Sequence, residues 1–185
     1  MTSRSRPVTT DRFRTMLDRM VKTARLNGET ILSLKEDPTA TGQALTVLAI
    51  AGLSLGVGFT TSIGLEARYV LLGAIFGAIL SIVLGFVWLS LTFLIGTRIF
   101  GVTSDYWSLA RPMFFATSPG LAFLFMSIPV WVVSDIARAV GVVWIAISTV
   151  FAVRAALGFD TQRSLLTFIL VALIVIISYG LVSSI

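Results

Sequence analysis

Five long apolar runs separated by short polar punctuation dominate the chain, at 41–63, 69–97, 112–134, 140–157 and 165–185. A bilayer core asks for roughly 20 apolar residues per helix, and only helices or closed barrels satisfy their backbone groups there. The pattern therefore predicts an all-α fold, a polytopic membrane bundle of five transmembrane helices. Ahead of the runs the period changes. From Thr10 to about Gly28 the residues Phe13, Met16, Leu17, Met20, Val21 and Ala24 recur at spacings of three and four, while Arg12, Arg14, Asp18, Arg19, Lys22 and Arg25 fill the other faces. That is an amphipathic helix, expected at an interface: on lipid headgroups or its own bundle, or docked on a protein partner by the same stripe. Two units follow from this, a basic N-terminal segment over 1–40 and a five-helix membrane domain over 41–185.

The smaller signals refine these bounds. The opening MTSRSRPV is polar and basic with Pro7 in it, and is expected to be disordered. No apolar stretch follows it directly, so the run at 41–63 is expected to serve as an uncleaved insertion signal. Asn27-Gly28 marks a break. A short helix from Glu29 to Lys35 should end at Asp37-Pro38, because the residue before proline is pushed out of the helical region.

Within the first run Gly52, Gly56, Thr60 and Gly64 stand four apart, and within the second so do Gly73, Gly77, Ser81 and Gly85. Residues four apart share a helix face, and small ones let two backbones approach closely. The two ladders predict that the first two spans pack together. Glu66 and Arg68 form the turn between them, and the second run, 29 residues over 69–97, should tilt or project from the membrane.

The polar hinge between the second and third runs reads RIFGVTSDYWSLAR, from Arg98 to Arg111. Ser104 and Asp105 are good helix starters, Tyr106 and Trp107 suit the membrane interface, and the two arginines have the reach for phosphates. A short interfacial helix is expected, with Arg98, Asp105, Tyr106, Trp107 and Arg111, alongside Phe13, Met16, Leu17 and Met20, as the interfacial or partner-binding set. Pro112 should open the third span at its tolerated first turn, while Pro119 and Pro129 inside it should kink it. Asp135 and Arg138 are expected in the next outer turn. The fourth span should start at Val140, with Trp144 near its outer end and Arg154 one turn from its inner end, snorkelling.

Charge gives an orientation. Of 14 Lys and Arg residues, eight lie in 1–40, two in the 98–111 hinge and two at 154–163, whereas only Arg68 and Arg138 fall on the other side. The positive-inside bias puts the N-terminus, the hinge and the last turn in the cytoplasm and the C-terminus outside. The net charge of +5 is thereby read as topology, with no nucleic acid implied. The composition, 56% hydrophobic and 12% charged, agrees with a membrane protein.

Candidate chemistry is sparse. The chain has no Cys and no His, which removes thiol chemistry, disulfides, imidazole acid–base catalysis and histidine ligation of metals or haem. Apart from Arg154 every ionisable residue falls in an expected loop or helix end, whereas coupled transporters usually carry one inside a span. There is no phosphate-cradling glycine loop and no nucleophile beside a base. No catalytic, cofactor-binding or metal residue is therefore expected, and the chain is read as a non-enzyme without a cofactor.

Several stretches resemble the Yip family (Ypt-interacting proteins and the bacterial and archaeal Yip-domain membrane proteins). They are ILSLKEDPTATGQAL with Asp37-Pro38; FLIGTRIFGVTSDYWSLARPMFFATSPG with Ala116 and Pro119; IPVWV; and VVWIAISTVFAVRAALGFDTQRSLLTFIL with Trp144, Arg154 and Asp160. The resemblance covers about residues 29–180 and implies a five-span bundle with a cytoplasmic N-terminus. Eukaryotic members act in vesicle traffic, bind prenylated Rab GTPases or shape membranes; the compact basic opening here is similar to prokaryotic members. The expected function is a non-catalytic membrane scaffold or accessory subunit in the bacterial cytoplasmic membrane. It would bind lipids and other integral membrane proteins, within a larger respiratory or photosynthetic assembly, in an oligomeric state the sequence leaves open. The alternatives are a passive transporter, channel or lipid-handling protein using the kinked third span, and a trafficking or membrane-shaping factor.

Overall fold

The computed structural model describes residues 8–183, as seven α-helices with no strand among them. They are α1 Val8–Ala24, α2 Gly28–Glu36, α3 Thr41–Ser62, α4 Ala67–Leu94, α5 Tyr106–Phe115, α6 Trp131–Leu157 and α7 Thr161–Ser183. Five stretches are long and apolar enough to cross a membrane: 38–62, 67–99, 106–127, 131–157 and 161–181. The chain is thus a polytopic helical membrane bundle, with α1 and α2 packed on one end of it. The expectation for MTSRSRPV lies, except for Val8, outside the described residues, as does the last part of the 165–185 run.

The closest backbone packing in the bundle is that of the antiparallel pair α3 and α4. A Cβ on Gly56 would strike the Gly73 carbonyl, and one on Gly77 would strike the Gly52 carbonyl. The two backbones therefore touch where only glycine fits, and dispersion between them replaces the hydrophobic drive that lipid cannot supply. Thr60 is buried against Gly73 and returns its hydroxyl to the Gly56 carbonyl at 2.8 Å. Ser81 donates across the seam to the Leu48 carbonyl at 2.8 Å, and Gly85 lies under the Leu48 side chain. Gly64 is different. It has φ +73° and open space where a Cβ would stand, so it follows the end of α3 in a left-handed conformation and takes no part in the seam. Past Leu94 the second span continues as a π-helical turn, Ile95–Ile99, that stops at Gly101 with φ +67°.

The proline-rich region departs from expectation in three places. Asp105 caps α5 by accepting from the Ser108 amide at 3.0 Å, so the hinge helix and the start of the third span are one helix, with Pro112 inside it rather than at its first turn. Pro119 occupies the opening of a 3-10 helix, Ser118–Ser127, and does not kink an α-helix. Pro129 sits in the outer turn between that segment and α6, outside any helix. Pro119 lacks an amide donor and crowds the turn before it, so α5 does not run on through it, and Pro129 holds the preceding Ile128 in an extended conformation that ends the segment. The 3-10 segment lies along α3, with Gly58 against the Phe123 backbone, Gly120 against Ala51, and the Thr61 and Ser127 hydroxyls bonded at 2.9 Å.

The fourth span begins at Trp131, not Val140. Asp135 and Arg138 consequently lie on α6, paired at 2.8 Å one turn apart, and do not form the turn. Trp144 stands fourteenth among the 27 residues of α6, near its middle rather than its outer end. Gly158, at φ +67°, ends α6 beside Arg154, whose carbonyl accepts from the Phe159 amide at 3.0 Å.

Candidate functional site

The basic end of the bundle is where the N-terminal helices meet the spans. Asn27 caps α2 by accepting from the Thr30 amide at 2.8 Å, and the preceding Leu26 adopts φ +60° so that the chain can reverse between α1 and α2. The hairpin they form buries Met16, Met20, Ile31 and Leu34 in one core with Leu109, Phe114, Phe115, Val153 and Leu157. At 5% exposure or less each, these are interior residues.

The amphipathic stripe of α1 is therefore divided. Met16, Met20 and Thr23 face the bundle, while Phe13, Leu17 and Val21, one face further round, remain 57%, 41% and 49% exposed. Polar contacts fix the docked half. Arg19 donates to Asp37 at 2.6 Å and to Gln43 at 3.0 Å. The Ser118 hydroxyl reaches the Met20 carbonyl at 3.1 Å, and the Trp144 indole reaches the Ala24 carbonyl at 2.8 Å. The hydroxyls of Thr23 and Ser148 are buried with no hydrogen-bond partner. Asp37 also accepts from the Thr39 hydroxyl at 2.6 Å. That bond, helped by Arg19 and opposed by partial burial, holds the Asp37 carboxyl below its ordinary value.

The hinge residues go to different places. Arg111 does not reach the surface: at 6% exposure its Nη1 donates to the Lys35 carbonyl at 2.9 Å and, at 3.5 Å, to that of Leu34. It caps the C-terminus of α2, where a cation meets unpaired carbonyls and the negative end of the helix dipole. Its Nε has no partner. Asp105 is engaged as the α5 cap, so it forms no pair with Arg111. Tyr106 shares a hydrogen bond with Ser90 at 3.0 Å, and Trp107 sets its ring edge against Phe86 and Tyr106 while staying 41% exposed. Arg98 remains exposed beyond α4.

Three apolar clefts open on the sides of the bundle, one of about 520 Å³ along α3 and α4 and two between elements far apart in the chain. One of these two, of about 480 Å³, lies between α3, α4, α6 and the start of α7. Of its hydroxyls, on Ser81, Thr117 and Thr149, the first two are spent on the carbonyls of Leu48 and Phe114. The other, of about 560 Å³, lies between the α1–α2 turn and α6, lined by Arg25, Leu26, Val140, Val143, Trp144 and Ile147 among others. Sequence patterning missed both, together with the Arg19–Asp37–Gln43 contact, because each depends on elements far apart in the chain. A hint existed in Trp144, a polar-tipped ring placed within an apolar run.

Outward-facing surface is concentrated on α4 and α7. In the most apolar window of α4 11% of residues are buried, and in that of α7 17%, against 67% for the third span. In α7 Ser164, Thr167 and Val171 are fully buried, whereas Ile174, Ile176, Ile177 and Tyr179 are 41%, 65%, 59% and 76% exposed. Among the described residues no group of three Asp or Glu side chains stands close enough to hold a metal ion. Searches of protein-family models, of curated proteins and of solved structures found no match to this chain.

Proposed function

We propose that the chain is a Yip-like, non-catalytic scaffold or accessory subunit of a bacterial cytoplasmic membrane, with α1 and α2 on the cytoplasmic side, which binds other membrane helices and lipids. The observation that carries this reading is the far half of α7. Beyond Val171 most of its apolar side chains, Leu173, Ile174, Ile176 and Ile177 among them, are exposed. Membrane helices are held by van der Waals packing against other helices, and the broad exposed face of α4 offers a second such surface. Apart from the unpartnered Thr23 and Ser148 hydroxyls and Arg111 Nε, the interior of the basic end is apolar contacts and spent hydrogen bonds, which suits a fixed mount.

The test is purification in mild detergent with a photo-crosslinking residue at Ile177, followed by native mass spectrometry. A membrane protein cross-linked at that residue and retained in fixed stoichiometry supports the scaffold. A lone monomer or homodimer that gives solute or lipid flux in liposomes overturns it. The 480 Å³ cleft favours one second reading, a lipid-handling protein with an acyl chain between α4 and α6, and that flux is its expected result.

A further inference from the structure

We propose that the groove between the α1–α2 turn and α6 binds one anionic phospholipid, its phosphate on Arg25 and an acyl chain along Val140, Val143 and Ile147. The inference rests on the bundle lying in a bilayer and deepens the lipid-binding part of the proposed function. The groove has about 560 Å³ and is apolar except for its arginine. Its floor is the outward face of α6, where Val140, Val143, Trp144 and Ile147 are 45%, 57%, 46% and 44% exposed. Trp144 has given its indole N–H to Ala24, so what its ring offers the groove is an apolar surface. A hydrocarbon chain is what such a wall takes from a membrane.

Arg25 supplies the polarity. It is exposed and, among the described residues, has no ion pair or side-chain hydrogen bond, whereas its neighbours are engaged: Lys22 holds Asp18 at 2.7 Å and Arg19 holds Asp37. The carboxylate of the turn, Glu29, is not among the groove residues. The groove lies against the middle of α6. With Trp144 at the middle of α6, a rise of 1.5 Å per residue puts it about 20 Å from either end of that helix. An unneutralised guanidinium held against an apolar wall in a membrane is costly, and the long arginine stem relieves this by bringing the charge to a phosphate. Phosphate and guanidinium match in geometry as well as charge, through paired N–H donors.

The test reconstitutes the full chain in nanodiscs of phosphatidylcholine alone or of phosphatidylcholine with phosphatidylglycerol, and counts the lipids retained in native mass spectrometry after detergent release. One phosphatidylglycerol retained per chain is expected. Arg25→Gln should lower its retention by about tenfold, Arg25→Lys should keep part of it, and Val143→Trp should abolish it by filling the groove while leaving the arginine. Circular dichroism melting shows which variants are folded, and Arg25, being exposed, leaves the core untouched. Equal retention of the two lipids, or unchanged retention in Arg25→Gln and Val143→Trp, overturns the site, as does displacement by inorganic phosphate alone. A protein cross-linked at Ile177 is read separately, so the lipid site and the scaffold fail independently.

Discussion

The indole of Trp144 donates to the main-chain carbonyl of Ala24 at 2.8 Å, joining the middle of α6 to the last residue of α1 across 120 positions of sequence. With the Ser118 hydroxyl on the Met20 carbonyl, it makes α1 an attached part of the bundle. Both donors are side chains of the spans and both acceptors are main chain of α1, so the contact tolerates changes in α1's side chains more readily than changes in the spans.

Trp144→Phe keeps the apolar ring and removes the donor. The expected cost is about 1 kcal/mol, seen as roughly fivefold faster amide hydrogen exchange across residues 16–24 with the spans unaffected. Exchange unchanged in α1 would show that the apolar contacts of Met16 and Met20 hold it unaided.

The glycine seam gives a graded series. Gly56→Ala and Gly77→Ala place a methyl group against backbone of the opposite helix, and each should lower bundle stability by roughly 1–3 kcal/mol. Gly42→Ala meets nothing within 4 Å and should be neutral or stabilising by up to about 1 kcal/mol. Gly64→Ala also meets open space but has φ +73°, so it should cost about 1 kcal/mol through backbone strain alone. Unfolding in detergent of the four variants checks the order.

Acid should release α1 at its α2–α3 end. The Thr39 hydroxyl first, and then Arg19 of α1, hold the Asp37 carboxyl below its ordinary value of 3.8; the Arg19 share exists only while α1 is docked, so the docked form takes up a proton less readily than the released one. The stability it adds is therefore complete above 3.8 and is lost as pH falls through the lowered value. Hydrogen exchange of α1 followed from neutral pH into this range should show the loss, and Asp37→Asn should remove that transition while weakening docking by about 2 kcal/mol at neutral pH.

How far the fold can be read from the sequence differs by region, and the reason is physical. The spans beginning at Thr41 and near Tyr69 are legible because the bilayer imposes a length and helix–helix contact imposes a period of four on small residues. The region from Arg98 to Trp131 is not. A proline says that an α-helix cannot pass unchanged, but the sequence around Pro112, Pro119 and Pro129 leaves open whether each lies inside, starts or follows a helix. Packing against α3 chooses, through Gly58 on Phe123 and Gly120 on Ala51. Arg111 is the sharpest case among the candidate residues. By composition it belongs at a surface, yet two α2 carbonyls 76 and 77 positions away take its charge inside.

The sequence by itself determined an all-helical membrane bundle, its number of spans, the seam between the first two, and an N-terminal helix with one apolar and one basic side. These depend on local quantities: run length, period, and the absence of a side chain at glycine. The tertiary structure alone decided which half of α1's stripe is buried, that the hinge helix and the third span are continuous until Phe115, that Arg111 caps α2, and that Arg25 stands at the edge of an apolar groove. Those outcomes depend on which distant backbone carbonyls and side chains arrive beside each residue, and no local pattern encodes that arrival.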